Sequence, residues 1–480
     1  MLSPKVRRWS VLFLVSVVMM TGYIFWDILS PVSTTLMAPA AEGGLGWSAA
    51  EYGFYVGSYT VFNIFLLMLF FGGIILDRCG IRLTGLLSTG AMLLGAVINW
   101  VAFCHLTPTS TVDLPFTFFG FIPSPIKTQV LIASLGFGIF GMGCDITGIT
   151  ISKIITKWFT GYELASAMGT QLAIARLATA ASLSFAPLLA QIGGIRILTV
   201  IGAAILLVGF LLFVIYCLAD KSYDKNCGHT VTREGQPTAG SPLRQKEDKR
   251  QDGPSADGSG EDSFSFHDFL AVLRNPGFWL IVFICVFYYA SIRTFMKFAS
   301  DLMVQQYDVS KTTAGLYVSI IPYGAIVLTP FFGWLYDRIG HGVMIMLVGC
   351  LGVVIGEGVL AIPSLHSQWI AFSMMILIGI AFSLVPSSLW PSVPKIVPLR
   401  QLGTAYSIIY YIQNIGLMLT PIAVGQVIDS HTSADGTVSY TAALTLFATL
   451  GLLSTVCSLL LLITDHKKGY ALERKNECGE

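Results

Sequence analysis

Charged side chains interrupt the long apolar runs of this chain at Asp27, Asp145, Arg176, Arg293, Lys297 and Glu357. A charge inside a membrane-length apolar run costs about 2.5–3.5 kcal/mol on insertion scales, so each needs a partner or a task. A carboxylate can hold an ammonium group, and a guanidinium can grip a carboxylate through two parallel hydrogen bonds. Asp145 with Arg176 therefore has the chemistry to hold both ends of a small zwitterion; the competing reading is that the two neutralise each other. Arg293 and Lys297 stand four residues apart, on one helical face. They read as a second anion-binding subsite or as side chains reaching outward to water. Asp27, after Tyr23 and Trp26, reads as a proton or cation site or as a vestibule residue, and Glu357 as a buried peripheral acid. Gln413 and Asn414 are polar in mid-run, while Tyr55, Tyr59, Tyr288, Tyr289 and Trp390 could wall a path between the charges. No nucleophile–base constellation and no metal-type Cys or His spacing is visible, so neither a catalytic nor a metal site is expected.

The elements that must position these residues are membrane helices. Hydrophobic residues make up 54% of the 480 and charged ones 11%, against roughly 25% charged in soluble proteins. A spanning helix needs about 20 mostly apolar residues. Twelve such segments lie near 9–33, 51–76, 82–104, 128–153, 164–189, 195–217, 277–300, 313–336, 342–362, 367–391, 403–428 and 440–463. Their runs are continuous rather than alternating, which excludes a β-barrel. The first run is too long for a signal peptide and lacks a cleavage motif, so it reads as a retained helix. A polar, aperiodic stretch over 219–264 reads as a disordered cytoplasmic linker. It separates six-helix bundles at 1–218 and 265–465, with a cytoplasmic tail at 466–480. Lys and Arg concentrate on the loops that share a side with both termini, which places the termini in the cytoplasm.

One stretch occurs twice. Gly73-Ile-Ile-Leu-Asp77-Arg78-Cys-Gly80, extended to Arg82, returns as Gly333-Trp-Leu-Tyr-Asp337-Arg338-Ile-Gly340. Both copies read G-x-x-x-D-R-x-G between apolar segments, which points to two related halves. By contrast, Gly136-Phe-Gly138-Ile-Phe-Gly141 fits a dinucleotide fingerprint, but it lies inside a spanning segment with no strand before it. Close helix packing is the better reading. No Walker motif is present, so no cofactor is expected and ATP is not the energy source. The net charge of +1 gives no case for nucleic acid. The expected partners are the lipid bilayer and a small-molecule solute, and the expected state is a monomer.

Twelve segments with this motif in the second-to-third and eighth-to-ninth loops resemble the major facilitator superfamily. The resemblance implies an all-α membrane fold of two six-helix halves that works by alternating access. It also implies that Asp77, Arg78 and their repeat form a gating element favouring the outward-open state. It further implies that segments 1, 4, 7 and 10 line the cavity, with 2, 5, 8 and 11 beside them. Ser388-Leu-Trp390-Pro through Gly403-Thr-Ala-Tyr406, with Gln413-Asn414, Tyr288-Tyr289, Trp158-Phe-Thr-Gly161 and Gln171 through Arg176, is similar to the lysosomal dipeptide uniporters of that superfamily. That similarity assigns Asp145 and Arg176 to the two ends of the solute, with Asp145 one methylene shorter than the acid expected there. Arg293 and Lys297 depart from the pattern. The rival reading is an organic or inorganic anion carrier using Arg176, Arg293 and Lys297. Because the chain shows no acidic dileucine signal near its start, a plasma membrane or bacterial inner membrane is expected rather than a lysosomal one.

Overall fold

The computed structural model describes residues 4–114, 117, 122–159, 163–226, 273–397, 402–433 and 438–474. Ten of its helices are long and apolar enough to cross a membrane, and two of these fold back on themselves. Met68–His105 turns at Gly80 (φ 79°, ψ 170°), and Leu164–Asn226 turns at Gly193 and Gly194 (φ 68°, ψ −163°). A straight helix of 63 residues would extend about 95 Å, three times the hydrocarbon thickness, so the reversal is obligatory. Gly80 and Gly194 supply it because their positive φ is open to glycine and costly for other residues.

With the limbs counted separately there are twelve spans. Span 1 is Pro4–Asp27, continued by Ser33–Met37. Span 2 comes in three pieces: Ala49–Ser58, Val61–Phe65 and the first limb of Met68–His105, whose second limb is span 3. Span 4 is Thr128–Phe159, and the limbs of Leu164–Asn226 are spans 5 and 6. Spans 7 to 12 are Pro276–Tyr307, Lys311–Ile339, Gly342–Leu360, Gln368–Ile396, Leu402–Ser430 and Thr441–Lys468. Pro322, Pro330, Pro386, Pro391 and Pro394 lie within spans 8 and 10, which run on through them. The expected linker 219–264 begins as the end of span 6 and from residue 227 lies outside the described residues.

The two halves meet at the end remote from the termini. There span 2 and span 11 touch backbone to backbone: a Cβ on Gly425 would stand 2.2 Å from the Ala49 carbonyl oxygen. Ala49 and Ala50 donate their N–H groups to the Asp429 carboxylate at 2.7 and 2.9 Å. A capping box between Ser48 and Glu51 satisfies the same helix start from within its own half. Spans 5 and 8 meet through Gln191 with Thr312 and Ser184 with Tyr323. At the termini side the helix ends splay, leaving Phe70 and Phe71 of span 2, Leu172 of span 5 and Trp334 of span 8 exposed. Nothing stands within 4 Å of a Cβ built on Gly73 or Gly333. Among the described residues, the molecule is thus closed at the far side and open toward its termini.

The duplicated motif lies at this open end. Asp77 accepts from Lys153 of span 4 at 2.5 Å. Arg82 meets the buried Asp220 of span 6 at 2.6 Å, and Lys157 reaches the same carboxylate at 2.9 Å. These contacts tie helices within the first half rather than across the halves.

Candidate substrate cavity

The break in span 2 builds one wall. Ser58 Oγ donates to the Tyr55 carbonyl at 2.6 Å and Thr60 Oγ1 to the Gly57 carbonyl at 3.3 Å, so side chains compete for backbone acceptors where the helix stops. The Tyr59 carbonyl then faces Gly141 of span 4, where a Cβ would come within 2.0 Å. A Cβ on Gly136 or Gly138 would also meet a neighbouring helix, at 2.7 and 3.0 Å, which accounts for the glycine run as helix packing. This approach brings Tyr59 Oη to 2.8 Å from Asp145 Oδ1, and Asn63 Nδ2 to 2.5 Å from Oδ2. Both oxygens of Asp145 are therefore held by neutral donors.

Asp145 opens on a cavity of about 400 Å³ between the halves, which it lines with Arg176, Tyr289, Arg293, Trp390 and Gln413. Asn414 and Tyr59 also line it. The Arg176 guanidinium lies over the Phe382 ring at 4.5 Å, and that of Arg293 lies 5.5 Å from the same ring and 5.2 Å from Trp26. Such contacts hold a cation without neutralising it. Among the described residues, neither arginine has a carboxylate within ion-pair distance. Direct neutralisation of Asp145 by Arg176 is accordingly not what the structure shows. Trp390 stacks on Tyr410 at 5.0 Å and donates its indole N–H to Tyr289 Oη at 3.3 Å, fixing the wall on the open side.

Four expected residues lie elsewhere. Tyr55 stands one turn nearer the closed end, buried against Phe137, with its hydroxyl donated to Asn99 Oδ1 at 3.0 Å. Tyr288 neighbours Tyr289, but successive helical side chains point about 100° apart, and its hydroxyl is donated to the Ala381 carbonyl at 2.8 Å. Lys297 does not share the large cavity with Arg293. Its Nζ binds Asp27 Oδ1 at 2.6 Å and the Trp26 carbonyl at 2.7 Å, behind the Trp26 ring. That ion pair joins span 1 to span 7 beside a second, 30 Å³ pocket on the far side. Asp27 thus serves as a partner of Lys297 in this state, and its Oδ2 has no hydrogen-bond partner among the described residues. Glu357 is buried away from the cavity and accepts from Ser291 Oγ at 2.8 Å.

The sequence reading missed Asn63, Phe382 and Tyr410 and did not give a lining role to Tyr23. Asn63 carried a usable signal: it is polar within an apolar run and four residues after Tyr59. The aromatic residues carried none, because rings in membrane helices are common.

A cavity lined by charged residues between two helical halves is the architecture of a membrane transporter. The chain belongs to the Major Facilitator Superfamily, whose family model matches residues 11–421 and 282–477. It is a secondary transporter rather than an enzyme. It is 26% identical over 424 residues to the lysosomal dipeptide transporter MFSD1 of Bos taurus, covering 86% of this chain and 78% of the relative. The Homo sapiens protein of that name is 25% identical over 374 residues, covering 76% and 70%. Among solved structures, the nucleoside transporter NupG superposes with a TM-score of 0.63 at 13% identity, over 94% of this chain and 99% of that one. A bacterial homologue of the human lysosomal transporter Spinster, in an inward-facing state, gives a TM-score of 0.61 at 16% identity, over 98% and 97%. These structural likenesses establish the fold.

Proposed function

We propose that this protein carries small zwitterionic solutes, dipeptides foremost, across a membrane by alternating access. The observation that carries the proposal is that Asp145 and Arg176 line one cavity and form no ion pair with each other. A site of that kind suits a solute that brings its own ammonium and carboxylate. The relatives named as dipeptide transporters support the same reading. That these relatives are lysosomal weighs against the plasma-membrane expectation and for a lysosomal membrane, and the termini would face the cytoplasm. Asp77 and Arg78 would act as the gate on the termini side. The protein would work as a monomer.

The test is thermal stabilisation of purified protein by Ala-Ala, alanine and nitrate, followed by uptake into proteoliposomes. A ligand that binds only the folded state raises the melting temperature by mass action. Ala-Ala should stabilise the wild type and not Arg176→Ala, and Asp145→Asn should weaken binding by about tenfold or more. Stabilisation by nitrate alone would reject the dipeptide reading in favour of an anion carrier. Arg293 favours that second reading, while Lys297, engaged by Asp27, does not contribute to it.

A further inference from the structure

We infer that Arg293 forms a second anion subsite, and that the cavity is therefore selective for dipeptides with an acidic side chain over neutral ones. The inference rests on the proposed dipeptide site and adds a preference within it. Three ionisable charges of known sign line the cavity: the Asp145 carboxylate and the guanidiniums of Arg176 and Arg293. A neutral dipeptide brings one ammonium for Asp145 and one carboxylate for Arg176. That leaves Arg293 between the rings of Trp26 and Phe382, and the Asp27 carboxylate that lines the small neighbouring pocket with it is already bound to Lys297. Ring faces attract a guanidinium but do not replace its lost hydration. A second carboxylate on the solute would do so, and the fork of Arg293 is shaped to receive it.

The geometry allows one solute to use both arginines. Each guanidinium lies against Phe382, and the two ring distances together cap the separation of their central carbons at about 10 Å. An extended chain advances about 3.5 Å per residue, so an Asp or Glu in a dipeptide can place two carboxylates on that scale. The arginines also come from opposite halves, Arg176 from span 5 and Arg293 from span 7. A solute with two carboxylates would touch both.

The experiment compares the affinities of Ala-Glu and Ala-Gln, which differ by one charge at nearly constant shape. Microscale binding measurements on the wild type and on Arg293→Gln and Arg293→Lys give a ratio for each protein, so a general weakening cancels. The wild type should bind Ala-Glu about tenfold tighter, the low end for a charge-assisted hydrogen bond. Arg293→Gln should bring the ratio to about one, and Arg293→Lys should keep a preference for Ala-Glu. A wild-type ratio near one overturns the inference whether or not the variants fold, and so does a preference that survives in Arg293→Gln. Failure of both peptides to bind would instead reject the dipeptide reading. Glutarate against its monoamide then decides the subsite: tighter glutarate binding keeps it, and equal binding rejects it.

Discussion

Asp145 is oriented by two neutral side chains, and either can be removed without disturbing the other. Replacing Tyr59 by Phe deletes the bond to Oδ1 and leaves the ring stacked on Trp26, 4.5 Å between centroids and 4° between planes. A hydrogen bond to a charged group contributes about 1.5–3 kcal/mol. Tyr59→Phe is therefore expected to raise the dipeptide KM by about tenfold or more, with little change in melting temperature, as initial-rate uptake and a melting curve would show. The charged members of the site were legible from the sequence, since a charge in an apolar run stands out. Asn63 was missed although its polarity in an apolar run marked it, and Tyr410 was not legible, because an aromatic side chain in a membrane helix usually serves packing. Lys297 was placed with Arg293 by its spacing of four, and the two do line the small pocket together; Asp27, on another helix, binds Lys297 and keeps it out of the large cavity.

At the scale of the helices, the contact of span 2 with span 4 decides where Tyr59 and Asn63 stand. Gly141→Ala would place a methyl carbon 2.0 Å from the Tyr59 carbonyl oxygen, a contact that only a shift of the two backbones can relieve. Overpacking of this kind costs about 1–3 kcal/mol. The variant is expected to melt at lower temperature and to lose dipeptide affinity as well, whereas Gly169→Ala, at a glycine with nothing within 4 Å, should do neither. The twelve spans were readable from apolar length alone. The interruption of span 2 after Ser58 was not, because no proline stands there and Gly57 is one of many glycines in these apolar runs. It arises from the Ser58 and Thr60 hydroxyls returning to carbonyls one turn back, which the presence of Ser and Thr does not reveal in advance.

For the molecule as a whole, the internal repeat disclosed two halves, but not which side of the membrane they open to. That choice depends on the balance of two sets of contacts between the halves, of which only one is made at a time. Here the far-side set is made: Asp429 on the first turn of span 2, Asp27 with Lys297, and the glycine contacts of span 11. The cavity between them has an electrical meaning. With one carboxylate and two guanidiniums it carries one net positive charge when vacant. Swinging such a site from one compartment to the other moves charge through the membrane potential, worth up to about 2.3 kcal/mol per 100 mV. A neutral dipeptide leaves that charge in place, whereas an acidic one cancels it. Voltage should therefore act on the return of the vacant carrier, and negative potential on one side should hold the vacant cavity open to that side. Voltage steps applied without peptide are expected to give transient currents that shrink in Arg293→Gln, and only acidic dipeptides should drive a steady current.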